Sequence, residues 1–370
     1  MEQRQAIKIQ RYYKMKALND IVARYKRIRN LQYVNKTYHN QFAFVGIGNH
    51  ATQNLYPVLS YLNLPLKYIV CSSQSMAKTI SDHYFPTIGT DNIDTVLEDD
   101  EIKGVFICIN GDKHFDIVTR CLAKNKNVFV EKPPCRSMEQ LQILIEAEAK
   151  NKNLITCVGM QKRYAPLTHK LIKLLNRKSL ISYSCRSVTG AYIEGDSLAD
   201  LFIHPIDYVT FLFGKAEICS LEIINDRSPF AQTLLLTLRH KDIVGQMELS
   251  TAYSWTDVTE NLIINTKEGV FEAKNFCNLT FQPKQNLFYG IPTEKIFNNI
   301  PPCKTVFTTN DFNPVLQNNQ IYYHGYFSEL KNFILAVESG KNTSQSSFSS
   351  LKNTYTIIEQ IKNAKQDIKL

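Results

Sequence analysis

The feature that most constrains the fold is an alternation of short apolar segments with amphipathic segments between residues 41 and 158. Each apolar segment has the length of a strand, and a segment with apolar residues at helical spacing follows it. The predicted strands lie in QFAFVGIG, LKYIVCSS, GVFICIN, NVFVEKP and LITCVGM. Because helices connect the strands, we expect a parallel sheet covered by helices on both faces. The pattern therefore predicts a Rossmann-type α/β domain over residues 41–158.

The pattern changes after this domain to β-rich segments with alternating apolar residues and turn-forming residues between them. Examples are LISYSCRSVTGAY, TLLLTLRH and IVGQMELSTAYSW. Such segments are typical of antiparallel strands. A chain of 370 residues is also long for one core, since domains average about 150 residues. We therefore predict a second, α+β domain over residues 159–370, with an open, mostly antiparallel sheet and a C-terminal helix.

Residues 1–40 form a basic arm that precedes both domains. The arm contains ten Lys or Arg residues and two acidic residues, Glu2 and Asp20, so it carries nearly all of the net charge of +9. Apolar residues recur at helical spacing between the basic ones. The pattern is compatible with nucleic-acid binding, a membrane-surface helix, a contact with a partner subunit or packing on its own domain. No nucleic-acid motif and no Trp/Phe face accompany the charge, which favours the last two interpretations.

Composition narrows the class of protein further. The chain is 44% hydrophobic and 21% charged, which is ordinary for a globular protein. No apolar run approaches the roughly 18 residues that span a bilayer, and the first residues lack the apolar core of a signal peptide. The nine cysteines are scattered without a C-x-x-C pair, which predicts no metal site and no disulfide framework. We expect a cytoplasmic protein with no membrane span and no nucleic-acid partner.

A glycine-containing turn follows the first predicted strand and opens a helix. Gly46 would allow a tight turn, and Gly48 would allow the backbone to approach a pyrophosphate. Ala51 occupies the third small position, where close helix packing is needed, and Asn49 and His50 lie between. A phosphate would bind at the N-terminus of the helix. Within an alternating α/β domain, the motif predicts a dinucleotide cofactor bound by these five residues.

The second predicted strand ends in Ser72 and Ser73 rather than in an acidic residue. An acidic side chain there would bind the ribose 2′-hydroxyl of NAD and repel the phosphate of NADP. The serines could donate to that phosphate, and Lys78 is a nearby cation in the sequence. The cofactor is predicted to be NAD or NADP, with NADP favoured. The alternative is that the serines belong to an ordinary polar loop.

Two further strand ends carry candidate site residues. One strand ends at Asn110, with His114 opening the next helix, and another ends at Glu131-Lys132-Pro133. Ligands of open α/β sheets bind beyond the carboxyl ends of the strands, so these residues are expected near the cofactor. Lys132 can polarise a carbonyl or stabilise an alkoxide while a hydride moves.

These stretches resemble the Gfo/Idh/MocA oxidoreductases, the group of glucose-fructose oxidoreductase and inositol dehydrogenase. The resemblance is carried by FAFVGIGNHA, VFICINGDKHFDIVTRCLAKNKNVFVEKP, VGMQKRYAP, DLFIHPID and GYFSELKNF. It implies an NAD(P)-dependent enzyme that transfers a hydride between nicotinamide and a hydroxyl or carbonyl of a sugar, cyclitol or sugar nucleotide. It also implies a homo-oligomer that assembles through the C-terminal sheet, to which the basic arm could contribute a partner contact.

The resemblance assigns roles to three residues of this chain. Lys132 corresponds to the catalytic lysine, and Asp200 and His204 correspond to the acidic residue and histidine that face the nicotinamide. His204 would exchange the substrate proton, and Asp200 would orient the substrate. The two are four residues apart, so a regular helix would place them on one face. Asp207 is expected to support them.

Two departures from the family pattern concern the approach to this helix. The segment GAYIEGDSLAD is shorter than the glycine-rich loop that the family often has, which leaves the substrate open. Pro205 is expected to mark the start of the helix or a kink in it. Gln161 and Arg163 are expected at the domain junction, where Gln161 would contact the cofactor. Arg163 could contact substrate or act as a structural hydrogen-bond hub.

The alternative function is a nucleotide-binding scaffold or redox sensor of the same fold that has no catalytic activity.

Overall fold

The structure is a computed structural model that describes residues 2–31, 36–84, 86–176, 178–226, 228–297, 302–309 and 319–367. Its helices are α1 (Glu2–Leu31), α2 (Tyr56–Tyr61), α3 (Gln74–His83), α4 (Asp94–Leu97), α5 (His114–Ala123), α6 (Met138–Lys150), α7 (Pro166–Leu175), α8 (Ile203–Phe213), α9 (Thr293–Phe297), α10 (Gln320–Tyr323), α11 (Tyr326–Ser339) and α12 (Lys352–Asp367).

The first sheet confirms the predicted parallel α/β domain. Its strands are β1 (Gln41–Val45), β2 (Leu66–Val70), β3 (Ile88–Thr90), β4 (Ile102–Ile107), β5 (Asn127–Val130) and β6 (Thr156–Val158). All neighbours pair in parallel, in the order β3-β2-β1-β4-β5-β6. The strand order reverses at β1, so a crevice opens beyond the carboxyl ends of β1 and β4, where dinucleotides bind in such sheets.

An aromatic layer on one face of this sheet includes a helix from the far end of the chain. Phe42, Phe44, Phe106 and Phe129 are fully buried there, and Phe333 of α11 lies against Phe106 with ring centroids 5.3 Å apart. Helix α11 therefore contributes to the core of the first sheet, although its sequence lies in the segment predicted for the second domain. Its packing brings the residues just before it, including Gly325, next to Gln161.

The second sheet confirms the predicted open, mostly antiparallel architecture. Its strands are β7 (Leu180–Val188), β8 (Glu217–Asn225), β9 (Gln232–Arg239), β10 (Val244–Ser250), β11 (Thr259–Thr266), β12 (Gly269–Lys274), β13 (Asn278–Pro283) and β16 (Lys304–Thr308). They lie in the order β16-β13-β12-β11-β7-β10-β9-β8, and β7 and β10 are the parallel pair among antiparallel ones. A separate ribbon joins β14 (Leu287–Phe288) and β15 (Ile291–Pro292).

The two faces of the second sheet differ in exposure. Leu234, Leu236, Leu238, Met247 and Leu249 point into the core, against which α8 and α12 pack. Side chains that alternate with them along β9 and β10 are exposed or half-buried. Alternation of this kind is typical of a sheet with one covered face and one open face.

Helix α8 begins in a way that accommodates its proline. A short π-helical segment, Leu198–Phe202, precedes α8, and Pro205 lies in the first turn of α8. Helical backbone already begins at Ser197, so Pro205 lies inside a continuous helical stretch, just after the π-helical segment. A proline removes one hydrogen bond of a helix, and a π-helical turn is a common site of a kink. The structure therefore favours the expected kink over a helix start at Pro205.

The basic arm contains α1. Every residue from 14 to 28 of this helix is exposed. The interpretation that this part of the arm packs on its own domain is therefore wrong. Within the described residues, no helix combines the length and the apolar character needed to cross a bilayer.

Candidate active site

The turn after β1 depends on Gly46. Gly46 has a φ of +111°, and a Cβ on this residue would overlap the carbonyl oxygen of Cys108 at the end of β4. Its N–H donates to the carbonyl oxygen of Val70 at 2.9 Å, and the Tyr56 hydroxyl donates to its carbonyl oxygen at 2.9 Å. The turn is therefore fixed between three strands, and only glycine fits this position.

Gly48 lies in open space at the start of the following helical segment. A Cβ added to Gly48 would meet no atom within 4 Å, so this part of the turn is accessible to a ligand. Ala51 is fully buried, in agreement with a small residue at a close packing position. Asn49 is exposed and His50 is half-buried beside it. A pyrophosphate needs free space beside a glycine turn at the start of a helix. The space at Gly48 therefore suits the pyrophosphate of a dinucleotide.

The serines after β2 have different local roles. Ser73 is the N-cap of α3, and its hydroxyl accepts the N–H of Met76 at 3.4 Å. Ser72 and Lys78 are exposed. Their predicted contact with a 2′-phosphate stays a prediction.

His114 connects two loops at the edge of the crevice. The N–H of Ile109 donates to His114 Nε2 at 3.4 Å, and His114 Nδ1 lies 2.8 Å from the carbonyl oxygen of Pro133. Burial lowers the pKa of His114, which suits a neutral ring that accepts at Nε2 and donates at Nδ1. Asn110 caps the intervening turn by accepting the N–H of Asp112 at 3.0 Å. The predicted cofactor contacts of Asn110 and His114 stay predictions, whereas their backbone bonds shape this loop.

Glu131 and His50 form an ion pair beside the glycine turn. The Glu131 carboxylate is buried, and its Oε1 lies 3.3 Å from His50 Nε2. Burial opposes the charge on both groups, but each stabilises the other, so the pKa of Glu131 is lowered and the pKa of His50 is raised. A Cβ on Gly159 would lie 2.7 Å from Glu131 Oε2, so the carboxylate occupies space that only glycine leaves.

Lys132 follows Glu131 after the end of β5, and its side chain reaches the second half of the molecule. Its Nζ donates to the backbone carbonyl oxygen of Asp200 at 2.5 Å, and its peptide bond to Pro133 is cis. Burial lowers the pKa of Lys132, although Glu131 and Asp200 counteract the shift. An ammonium group with a lowered pKa can donate to a substrate oxygen as that oxygen gains charge.

His204 lies in the first turn of α8 and lines a cleft of about 440 Å³. Among the described residues, no hydrogen bond to its ring nitrogens is found. Burial has the largest effect on the pKa of His204, and the nearby cations act in the same direction: Lys132, Lys162 and His50. Together they keep this pKa well below its usual 6.5. The ring is therefore neutral near pH 7 and can accept a proton from a bound hydroxyl.

Asp200 lies in the π-helical segment before α8, and its carboxylate points to the shortened loop. The Tyr192 hydroxyl donates to Asp200 Oδ2 at 3.4 Å, and Arg136 lies 3.7 Å from Oδ1. Among the described residues, no hydrogen bond joins this carboxylate to His204. The structure brings Asp200 to Lys132 through its backbone carbonyl group.

Arg163 and Asp207 form a buried hub behind the cleft. Arg163 Nε and Nη2 donate to the two Asp207 carboxylate oxygens at 2.8 and 2.5 Å. The side chains of both residues are 3% exposed. Thr354 of α12 also donates to Asp207, at 2.9 Å, which ties three segments together. The structural interpretation of Arg163 is confirmed, and Asp207 supports α8 through this arginine.

Gln161 is buried at the junction of the two sheets. Its Nε2 donates to the Tyr326 hydroxyl at 3.2 Å. The Tyr326 ring lies 5.7 Å from the His50 ring, beside the glycine turn. The contact of Gln161 with a cofactor stays a prediction.

Sequence reasoning missed the wall of the cleft opposite the nucleotide domain. Lys162 forms an ion pair with Glu260, both of which line the cleft with His204, and its ammonium lies 5.3 Å from the Phe276 ring centroid. His324 lines the same cleft, and burial lowers its pKa. Lys162 lies in the MQKRYAP stretch between Gln161 and Arg163, whereas Glu260 and His324 belong to no motif.

Comparison with known proteins identifies the nucleotide-binding half. Residues 40–159 match the family model described as "Oxidoreductase family, NAD-binding Rossmann fold". These residues are therefore similar to the nucleotide-binding part of the Gfo/Idh/MocA oxidoreductases. This confirms the resemblance of the motifs, and the matched residues include the glycine turn, Glu131 and Lys132.

Among curated proteins, the inositol 2-dehydrogenase of Paracoccus denitrificans is 24% identical over 151 residues, which are 39% of this chain and 45% of that protein. The chain spans less than half the length of the curated relatives that it matches first.

Solved structures share the fold over most of this chain. A dehydrogenase from Chromobacterium violaceum has a TM-score of 0.76 at 19% identity, over 90% of this chain and 98% of that one. A 3-ketoreductase from Actinomadura kijaniata in complex with TDP-benzene and NADP has a TM-score of 0.67 at 13% identity, over 86% and 96% of the two chains. At these identities the likeness concerns the fold.

Proposed function

We propose that this protein is an NAD(P)-dependent oxidoreductase that transfers a hydride between nicotinamide and a hydroxyl or carbonyl group of a sugar, cyclitol or sugar nucleotide. The observation that carries the proposal is geometric: His204 lines a cleft, and the ammonium group of Lys132 is bound by the backbone carbonyl of Asp200, four residues before His204 in the chain. A proton acceptor and a cationic oxygen ligand are the two groups that alcohol oxidation requires from a protein.

The glycine turn is proposed to hold the cofactor, because Gly48 leaves free space at a helix start and Gly46 fixes the turn. The ion pair of His50 and Glu131 lies beside this turn and would hold its shape. The bound nicotinamide would supply the hydride chemistry. NADP is favoured over NAD, because Ser72 and Ser73 stand where an acidic residue would repel its phosphate.

The residues of the chain would divide the remaining work. His204 would accept the hydroxyl proton during oxidation and return it during reduction. Lys132 would donate to the reacting oxygen and stabilise its developing negative charge. Asp200 would hold Lys132 through its carbonyl oxygen, since this bond fixes the ammonium group at the segment that leads into α8. Lys162 and Glu260 would bind further hydroxyl groups of the substrate from the opposite wall.

The open face of the second sheet is proposed as the contact between subunits of a homo-oligomer. Leu235 is 41% exposed on this face, with Thr237, Gln246 and Glu248 near it. A mixed apolar and polar face of this kind suits a subunit interface. Light scattering of the purified chain tests this assignment. We further propose that the protein is cytoplasmic, because its cysteines are scattered along the sequence without a C-x-x-C pair.

The test of the proposed function combines binding with turnover. Titration of the purified chain with NADPH and NADH, followed by nicotinamide fluorescence, should show binding of at least one, with NADPH bound more tightly. A panel of inositols, hexoses and UDP-sugars should then give substrate-dependent reduction of the oxidised cofactor. Cofactor binding without turnover on any compound of the panel would favour the scaffold or redox-sensor alternative. A folded protein that binds neither nucleotide would contradict the proposal.

A further inference from the structure

The proposed function makes no use of helix α1. Six large apolar side chains of this helix are between 43% and 66% exposed: Met15, Leu18, Ile21, Val22, Tyr25 and Ile28. So many exposed apolar side chains on one helix indicate a surface that binds another molecule.

The exposed apolar residues lie on one side of the helix. At about 3.6 residues per turn, the six side chains form one continuous stripe. The opposite side carries Lys16, Asp20, Ala23 and Arg27. Arg24 borders the stripe on one side and Lys26 borders it on the other. The helix is therefore amphipathic over residues 15–28, with a cation along each edge of its apolar stripe.

The charge of the arm points to an anionic partner. Ten basic residues and two acidic residues lie within residues 1–40, whereas the rest of the chain is nearly neutral. Cations at the edges of an apolar stripe can lay their methylene groups along an apolar layer and place their charged ends at its polar boundary. Tyr25, in the centre of the stripe, combines an apolar ring with a hydroxyl that favours such a boundary.

We propose that α1 is an amphipathic anchor that lies on the surface of an anionic lipid bilayer. The apolar stripe would enter the boundary of the acyl chains, and Arg24 and Lys26 would contact the lipid phosphates and carboxylates. Binding would combine the buried apolar area with attraction to the anionic headgroups.

A second copy of the chain fits this helix less well. Leu18, Ile21, Tyr25 and Ile28 have the spacing of a coiled-coil seam, but only over two heptads, and a stable coiled coil needs about three or more. One heptad earlier, the same two positions are Arg11 and Lys14, so a paired helix would place cations in its own seam.

Nucleic-acid binding would also explain fewer of the features of α1 than binding to a bilayer does. Binding to a phosphate backbone depends on the cations and would leave the six apolar side chains without a role. A protein groove contacts a helix through a narrow row of anchors. Met15 and Val22 widen the stripe beyond such a row, in the manner of helices that lie in a bilayer interface.

The test uses the full chain and two kinds of vesicle, phosphatidylcholine alone and an equimolar mixture with phosphatidylserine. The chain should float with the anionic vesicles and remain behind with the neutral ones. The double variant Ile21→Gln/Tyr25→Gln should bind the anionic vesicles more weakly by about tenfold or more. The double variant Arg24→Gln/Lys26→Gln should bind roughly thirtyfold more weakly. Ala23→Gln places the same group on the opposite side and should bind as the unaltered chain does.

Three results would overturn the proposal. The first is that the chain, folded by circular dichroism, fails to float with the anionic vesicles. The second is equal flotation of Ile21→Gln/Tyr25→Gln and the unaltered chain. This result would show that the contact is purely electrostatic and does not use the apolar stripe. The third is a fall in mass by light scattering for this variant without vesicles, which would show that a second copy covers the stripe.

Discussion

Lys132 donates a hydrogen bond of 2.5 Å from its Nζ to the backbone carbonyl oxygen of Asp200. This bond connects the end of β5 with the segment that leads into α8, so the ammonium group is held at the backbone four residues before His204. A backbone carbonyl is a neutral acceptor, and it leaves the positive charge of the lysine available to a reacting oxygen.

Replacement of Lys132 by methionine should therefore affect the chemical step more than cofactor binding. We expect kcat to fall by about 10²-fold or more, because the charge that stabilises the alkoxide is lost. The cofactor Kd should change little. Lys170→Met alters an exposed lysine of α7 and serves as the control. Steady-state rates and fluorescence titration measure the two quantities, and an unchanged kcat in Lys132→Met would contradict the assignment.

His204→Asn should remove the proton acceptor. We expect kcat for alcohol oxidation to fall by roughly 10²-fold or more. Since the pKa of His204 lies well below 6.5, the neutral base is present at pH 7, and the rate should decline only as the pH falls below 6.5. The pH profile of kcat/KM checks this in both proteins. A decline centred above pH 6.5 that disappears in His204→Asn would show that the ring titrates normally.

The two glycines of the turn should respond differently to the same substitution. Gly46→Ala would place a Cβ on the Cys108 carbonyl oxygen at a positive φ, so both stability and cofactor binding should be lost. Gly48→Ala meets no atom within 4 Å and should leave the thermal unfolding temperature unchanged. Its methyl group would occupy the space assigned to the pyrophosphate, so the cofactor Kd should rise by about tenfold or more. Normal cofactor affinity in Gly48→Ala would place the phosphates elsewhere.

We expect the buried pair of Arg163 and Asp207 to contribute to the stability of the fold. Asp207→Asn leaves a buried guanidinium without its charged partner, and we expect the free energy of unfolding to fall by about 3 kcal/mol. Asp94→Asn interrupts the pair with Arg120 and, because the Asp94 side chain is 58% exposed, should cost less than about 1 kcal/mol. Urea unfolding of both variants checks the difference. Equal costs would mean that the buried pair contributes no more than a surface pair.

Glu329 on α11 should make stability depend on pH. Its side chain is fully buried, and burial raises its pKa well above 4.5. Above pH 4.5 the unfolded chain releases this proton while the folded chain retains it, so the contribution of Glu329 to stability falls as the pH rises. In Glu329→Gln the side chain is uncharged at every pH, so the variant should show a weaker dependence of stability on pH. Urea unfolding at about pH 5 and about pH 8 measures the two slopes, and equal slopes would contradict the prediction.

The sequence predicted the fold because its main signals are local. The glycine turn, the strand that ends at Lys132 and the alternation along β9 and β10 each lie within one short stretch, where periodicity and turn chemistry act. These features predicted the glycine turn at Gly46 and the strand end at Lys132, which the structure has just after β1 and β5.

The cleft wall could not be predicted in this way, because its pairs join distant parts of the chain. Lys162 and Glu260 are 98 positions apart and share no spacing pattern. The backbone bonds of His114 to Ile109 and Pro133 likewise depend on the packing of two loops. The exposure of α1 depends on the absence of a packing partner among the described residues, which its amphipathic pattern alone does not reveal.

The most direct test of hydride transfer in this cleft uses a substrate with deuterium on the carbinol carbon. The first polyol or sugar that supports turnover is labelled, and the reduced nicotinamide is analysed by mass spectrometry. Direct transfer predicts that the deuterium appears in the reduced cofactor, at a rate that Lys132→Met and His204→Asn both lower. Oxidation of the substrate without deuterium in the nicotinamide would contradict the mechanism.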